Sequence, residues 1–150
     1  MRTRRAVPDT ILFTAVMLAA CTAGAQELTK SALEAWLARY EQAWETRDPA
    51  RAAELFTETA SYTEMPFDDP MVGRAAIRDY WTNVTADQRD VAFESQVIAV
   101  DGSTGVAHWR AEFRLESSGA GVTLDGVFVL TFDAMGRCES LREWWHAGGG

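Results

Sequence analysis

The stretch Ser61 to Gly73, "SYTEMPFDDPMVG", sets a carboxylate among apolar neighbours: Glu64 stands between Tyr62 and the run Met65, Pro66, Phe67. A glutamate so placed is either solvated at the tip of a strand or held in a pocket. In a pocket, lost hydration disfavours the charged form and raises the pKa. So held, it could act on a bound molecule. Tyr40, on an apolar stripe, reads from its spacing as a core ring. The remaining candidates offer less. His108 and His146 are far apart, and no C-x-x-C or H-E-x-x-H spacing occurs, so neither a metal site nor a cofactor is expected. His108 falls on the polar face of its strand and reads as a surface residue. "NVT" (Asn83 to Thr85) fits a glycosylation sequon only as a pattern, inside a predicted helix.

Those residues need elements to hold them. Residues 29–47 read as an amphipathic helix with a Ser31–Glu34 capping box. Its stripe is Leu33, Trp36, Leu37, Tyr40 and Trp44. "DPARAAELF" starts a second helix at Asp48 and Pro49 and closes it at Phe56. "ASYTEM" is the first strand, followed by a Pro-bounded loop and a third helix after Gly73 carrying Ile77, Tyr80, Trp81 and Val84. From Val91 the apolar period changes from helical to alternating. Ala107, Trp109, Ala111, Phe113 and Leu115 share one face of a strand, and Leu124, Gly126, Phe128, Leu130 and Phe132 one face of the next. In "CESLREWWH", Glu143 and Trp145 share a face opposite Arg142, Trp144 and His146, so one Trp points outward. Turn signals join these strands as hairpins. The order is helix, helix, strand, helix, then four strands: an α+β domain with helices on one side of a sheet. Gly126 opposite large aromatics suggests room left in mid-strand, and an apolar hollow is the default binding site.

The chain has 150 residues, sufficient for a single domain, spanning 29–147. Its first 25 residues read as a signal peptide: basic "MRTRR", apolar "ILFTAVMLAAC", then small residues. The apolar run is too short for a permanent membrane span. Cleavage has two readings: after "AGA", before Gln26, or at the lipobox-like "LAAC", which would make Cys21 a lipidated first residue and the only membrane attachment. Either way the protein is expected to be exported, to the periplasm, cell envelope or medium. Losing residues 1–25 removes Arg2, Arg4, Arg5 and Asp9 and moves the formal charge from −8 to −10. Only Cys138 then remains, so no internal disulfide can form. An acidic chain without a basic cluster is not expected to bind nucleic acid.

The segments "ARYEQAWETRDPARAAELFTETASY", "PFDDPMVGRAAIRDYW", "GVAHWRAEF" and "DGVFVLTFDAMGRCESLREWW" together resemble the nuclear-transport-factor-2-like, or SnoaL-like, superfamily over nearly all of residues 32–146. The resemblance implies a cone, with three N-terminal helices packed on a strongly curved, mostly antiparallel sheet around a pocket for a small hydrophobic molecule. Members include ketosteroid isomerases, polyketide cyclases and epoxide hydrolases, and others are binding or assembly modules, so fold does not fix function. Set against ketosteroid isomerase, whose carboxylate base works with Tyr and neutral Asp donors, Glu64 falls on the general base and Tyr40 on the oxyanion-hole Tyr. Phe128 stands where the isomerase has its protonated Asp. A missing donor of that kind weakens enolate stabilisation by a few kcal/mol, which argues against steroid isomerisation itself. The expected pocket residues are Trp36, Phe56, Trp81, Trp109, Leu124, Phe128 and Trp145. The expected ligand is a small hydrophobic or carbonyl-bearing molecule. Many relatives pair through the outer sheet face, which implies a homodimer.

Overall fold

The computed structural model describes residues 27–148. The signal-like segment, with Cys21 and both cleavage readings, lies outside them. Helix α1 (Lys30–Glu45) is capped by Thr29, whose hydroxyl accepts from the Ala32 amide at 3.1 Å. Ser31 is already inside the helix, so the expected Ser31–Glu34 box does not form and the helix is shorter than 29–47. Helix α2 (Pro49–Glu54) starts as expected. The Asp48 carboxylate accepts from the Ala50 and Arg51 amides, both at 3.1 Å, and Pro49 takes the first turn.

Phe56 does not close that helix. It opens strand β1 (Phe56–Thr63), because the backbone after Glu54 finds partners on the last strand: the Cys138 amide donates to Leu55 at 2.9 Å. A second departure is the two-residue strand β2 (Met71–Val72) inside the expected loop, antiparallel to β1 with Ser61 opposite Val72. Gly73 then turns the chain into α3 (Arg74–Thr85) with φ at +90°, a conformation that strains any residue with a Cβ. Strands β3 (Gln88–Asp101), β4 (Thr104–Leu115), β5 (Gly121–Phe132) and β6 (Cys138–Gly148) form an antiparallel meander. The six-stranded sheet runs β2-β1-β6-β5-β4-β3, and only β1 against β6 is parallel. The α+β class and curved, mostly antiparallel sheet are those expected, with one strand more.

The alternation read in β4 and β5 is the alternation observed. Ala107, Trp109, Ala111 and Phe113, then Phe128, Leu130 and Phe132, are buried beneath the helices. Gly126 corrects the expectation of free space. Trp109 and Trp145 flank it in register on β4 and β6. A Cβ there would come within 2.5 Å of the Trp144 carbonyl oxygen, 2.8 Å of Trp145 Cβ and 2.9 Å of Trp109 Cε2. The space released by the glycine is filled by its neighbours, so the hollow of this protein lies elsewhere.

Candidate functional site

One end of the cone interior is solid. Trp36 stacks on Tyr40 with centroids 5.3 Å apart and stands edge-on to Phe56 and Phe132 at 5.8 and 5.6 Å. Its indole N–H donates to the Leu55 carbonyl at 3.2 Å. Phe128 stacks on Trp109 at 5.1 Å and meets Tyr40 edge-on at 5.3 Å. Trp36, Phe56 and Phe128 are therefore packed side chains outside the lining of the cavity at the other end, unlike the expectation for them. Neighbouring rings occupy the positions from which each would have faced a ligand.

At the other end a cavity of about 400 Å³ remains, between β1, β6, β5, β4 and helices α1 and α3. Tyr40, Glu64, Trp81, Trp109, Leu124 and Trp145 of the expected set line it, together with Tyr62, Tyr80 and Glu143, which were not expected there. Tyr40, Tyr62, Trp81, Trp109 and Glu143 are buried at its depth, whereas Glu64, Tyr80, Leu124 and Trp145 are half-buried. Glu64 is thus both things its setting suggested: it follows the end of β1 and it faces the hollow. Phe67, three residues on, is fully exposed and does not shield it.

Glu143 is the functional candidate that sequence reasoning missed. The parallel register pairs Tyr62 with Leu141 and Thr63 with Arg142, so the next residues along the two chains are Glu64 and Glu143. On its other side Glu143 sits opposite Phe128. Glu143 thus brings a carboxyl to the position opposite Phe128 on the adjacent strand. Its signal was present, since alternation had placed an acid on the same face as Trp145. Apolar context then buries that face.

Glu143 is only 5% exposed. Burial pushes its pKa up to about 8, against the pull of the Tyr62 hydroxyl, and the Glu64 charge adds to the rise. Tyr62 donates to Glu143 Oε1 at 2.8 Å, and its oxygen lies 3.1 Å from that of Tyr40. A deep chain of three polar groups results, Tyr40–Tyr62–Glu143. Burial, and next the charge of Glu143, hold the Tyr40 and Tyr62 phenols well above the ordinary tyrosine value, so they stay protonated donors. Glu64 also has a raised pKa. Burial is the main cause, opposed by hydrogen bonding from Tyr80, with Asp68 adding a smaller push. Asp87, also at the lining, is committed to structure: it accepts from the Ser117 amide at 2.7 Å and the Ser117 hydroxyl at 2.6 Å.

Trp44 is satisfied by Gln88 Oε1 at 2.8 Å, but the buried Nε1 atoms of Trp81 and Trp109 have no acceptor. Trp81 stands edge-on to Tyr40 and Trp44, at 5.3 and 5.4 Å. His108 is on the outer surface, 3.0 Å from Asp125. On the same outer side Arg142 lies over the Trp144 ring at 5.0 Å, so Trp144 is the outward tryptophan.

Chemically, the site is an apolar hollow with two carboxyl groups, one half-exposed and one buried, backed by phenol donors. A cone of helices on a curved mixed sheet enclosing such a hollow defines the class. The chain belongs to the SnoaL-like domain family, whose match covers residues 37–140. It is similar to a steroid Delta-isomerase from Nocardioides simplex, 26% identical over 116 residues that cover 77% of this chain and 91% of the relative. Among solved structures it resembles the epoxide hydrolase/cyclase-like enzyme SalBIII of pyran ring formation in salinomycin. That match has 26% identity and a TM-score of 0.66 over 75% of this chain and 89% of the other. A Bacillus subtilis protein classed as an isomerase matches with a TM-score of 0.69 at 19% identity, over 77% of this chain and 87% of its own. At that identity the likeness is one of fold.

Proposed function

We propose that the protein is a cofactor-independent acid–base catalyst of the isomerase or cyclase kind, acting on a small apolar molecule. Glu64 exchanges the proton with the substrate. Glu143, held protonated by burial, donates a hydrogen bond to the oxygen on which charge develops, with Tyr40 and Tyr62 behind it. The observation that carries this reading is that the two glutamates, each one residue past the last β1–β6 pair of Thr63 with Arg142, line one apolar cavity. Environments that push two carboxyl groups to different pKa values assign them different roles. Kinship with a steroid isomerase and an epoxide hydrolase/cyclase-like enzyme supports the reaction class.

The test is turnover of a panel of β,γ-unsaturated ketones and epoxy alcohols by wild type and Glu64→Gln. Loss of a positioned acid–base group is expected to cost about 10²–10⁴ in kcat. A variant within a few-fold of wild type on an accepted substrate would show that Glu64 is not the base. A cavity that binds such molecules without turning any of them over would favour a binding module of the same fold.

We also propose export, resting on the basic, apolar and small-residue order of residues 1–25. Intact mass of the secreted or membrane-associated product distinguishes a chain starting at Gln26 from a lipidated one starting at Cys21.

A further inference from the structure

The charges in and around the cavity are one-sided. Its lining holds Glu64, Asp87 and Glu143 and no Lys, Arg or His. Asp87 is occupied by Ser117, Glu143 accepts from Tyr62, and Glu64 is hydrogen-bonded by Tyr80 with Asp68 nearby. The arginines that might have answered them are engaged elsewhere. Arg142, next to Glu143 in sequence, is turned to the outer face over Trp144. Arg74 of α3 donates to the Phe56 carbonyl at 3.0 and 2.6 Å and pairs with Glu58. Buried carboxyls without a cation are costly when ionised.

The walls offer aromatic faces. Eight of the seventeen lining residues are aromatic, among them Tyr62, Tyr80, Trp81, Trp109 and Trp145. The faces of such rings carry negative quadrupole density and attract cations, most strongly where water is excluded. The net charge of the whole chain, −8, draws cations and repels anions at long range.

From this juxtaposition we infer that the cavity takes an apolar organic cation, an ammonium-bearing molecule whose charge lies between the aromatic wall and the carboxyls of Glu64 and Glu143. The inference shares with the reading above that this cavity is the ligand site; it replaces the neutral substrate by a cation and the donor role of Glu143 by that of counter-ion, and the pH arms below decide between the two. An aliphatic or aryl body fills the apolar volume toward Leu124, and the ammonium supplies the positive charge that the chain itself withholds. Anionic ligands are excluded by the same groups.

The cation has a linkage that a neutral ligand lacks. The titratable and charged groups facing Glu143 are Tyr40 from α1, Tyr62 from β1, Glu64 beyond it, Tyr80 from α3 and Asp87 before β3, none of them basic. A bound cation therefore stabilises ionised Glu143 and expels its proton. Affinity should rise with pH toward about 8, where free Glu143 ionises, and level off above it. A neutral oxygenated ligand accepting from the protonated carboxyl would show the reverse.

The probes are benzyltrimethylammonium, which cannot titrate or donate a hydrogen bond, and its uncharged carbon isostere neopentylbenzene. Binding is read by tryptophan fluorescence and calorimetry on the folded protein from about pH 6 to about pH 9. The ammonium should bind about tenfold tighter or more. It should release protons near neutrality, seen as a binding heat that depends on the buffer. Glu143→Gln, its fold checked by urea midpoint, should abolish both the pH dependence and the proton release. If that variant fails to fold, the two-probe comparison across pH on wild type decides alone. Equal or tighter binding of neopentylbenzene would overturn the cation inference while leaving the cavity as the ligand site. An ammonium affinity that falls with pH would do the same. Binding of neither probe would overturn both.

Discussion

At the closed end of the cone Trp36 meets Phe56 and Phe132 edge to face and Phe128 meets Tyr40 in the same way, with centroids 5.3–5.8 Å apart. At the open end Tyr62, Tyr80, Trp109 and Trp145 line about 400 Å³ of space. Both ends draw on the same helices and strands and on the same kinds of side chain. They differ in what shares the space with the rings. Where β1 enters the sheet, its partners are small or apolar: Phe56 pairs with Cys138. Just past its last pair, Thr63 with Arg142, the two strands present acids, and Glu64 and Glu143 cannot be packed tightly without a cation or a proton. Rings alone condense into a core, while rings with two carboxyls keep a hollow.

The sharpest break between the two ends is expected in activity. Glu64→Gln should lower kcat by about 10²–10⁴ on any accepted substrate while leaving the urea midpoint within roughly 0.5 kcal/mol of wild type, because Glu64 is half-exposed. At the closed end the effect should be on stability. Phe128→Ala removes a fully buried ring and should cost about 3–5 kcal/mol in urea unfolding. A loss below about 1 kcal/mol would mean that the closed end is not packed as described.

Glu143 ties the two ends together through pH. Its pKa is about 8 in the folded chain, against an ordinary glutamate value of 4.5. Between those values the folded state keeps a proton that the unfolded state has lost, so stability is full below about 4.5 and declines as pH rises to about 8. The slope approaches about 1.4 kcal/mol per pH unit. Glu143→Gln should flatten it, and equal wild-type midpoints at both ends of that window would rule out a buried, protonated Glu143. Removing the Tyr62 hydroxyl, as in Tyr62→Phe, should cost about 1–2 kcal/mol and lift the carboxyl pKa further, since it takes away the bond that favours the ionised form. The smallest effect belongs to the mouth. Trp145→Phe should change stability by less than about 1 kcal/mol, since that ring is half-buried, yet alter ligand affinity by more than its stability change implies.

Some of this site was legible early. Glu64 was conspicuous because a charge interrupts an apolar run, and Trp109 and Leu124 followed from clean alternation. Tyr62 and Tyr80 were read only as strand and helix residues. Nothing in their spacing says that one phenol would bond a glutamate 81 residues away, as Tyr62 does with Glu143. Trp36 and Phe128 were expected at the pocket because size and face are periodic properties. Whether a ring lines a void or fills it depends on what stands opposite. Gly126 misled for the same reason, since the space it frees is taken by Trp109 and Trp145 from the flanking strands.

The sequence by itself determined the class of fold, the helical stripes, the alternating sheet face and the acidic balance of charge, because each follows from local period and composition. Only the tertiary structure decided that β1 runs parallel to β6 and so sets Glu64 beside Glu143. It also decided which end of the interior is filled and which acid keeps its proton. Strand pairing across the chain is a choice among registers that local pattern does not encode, and burial and pKa follow from that choice.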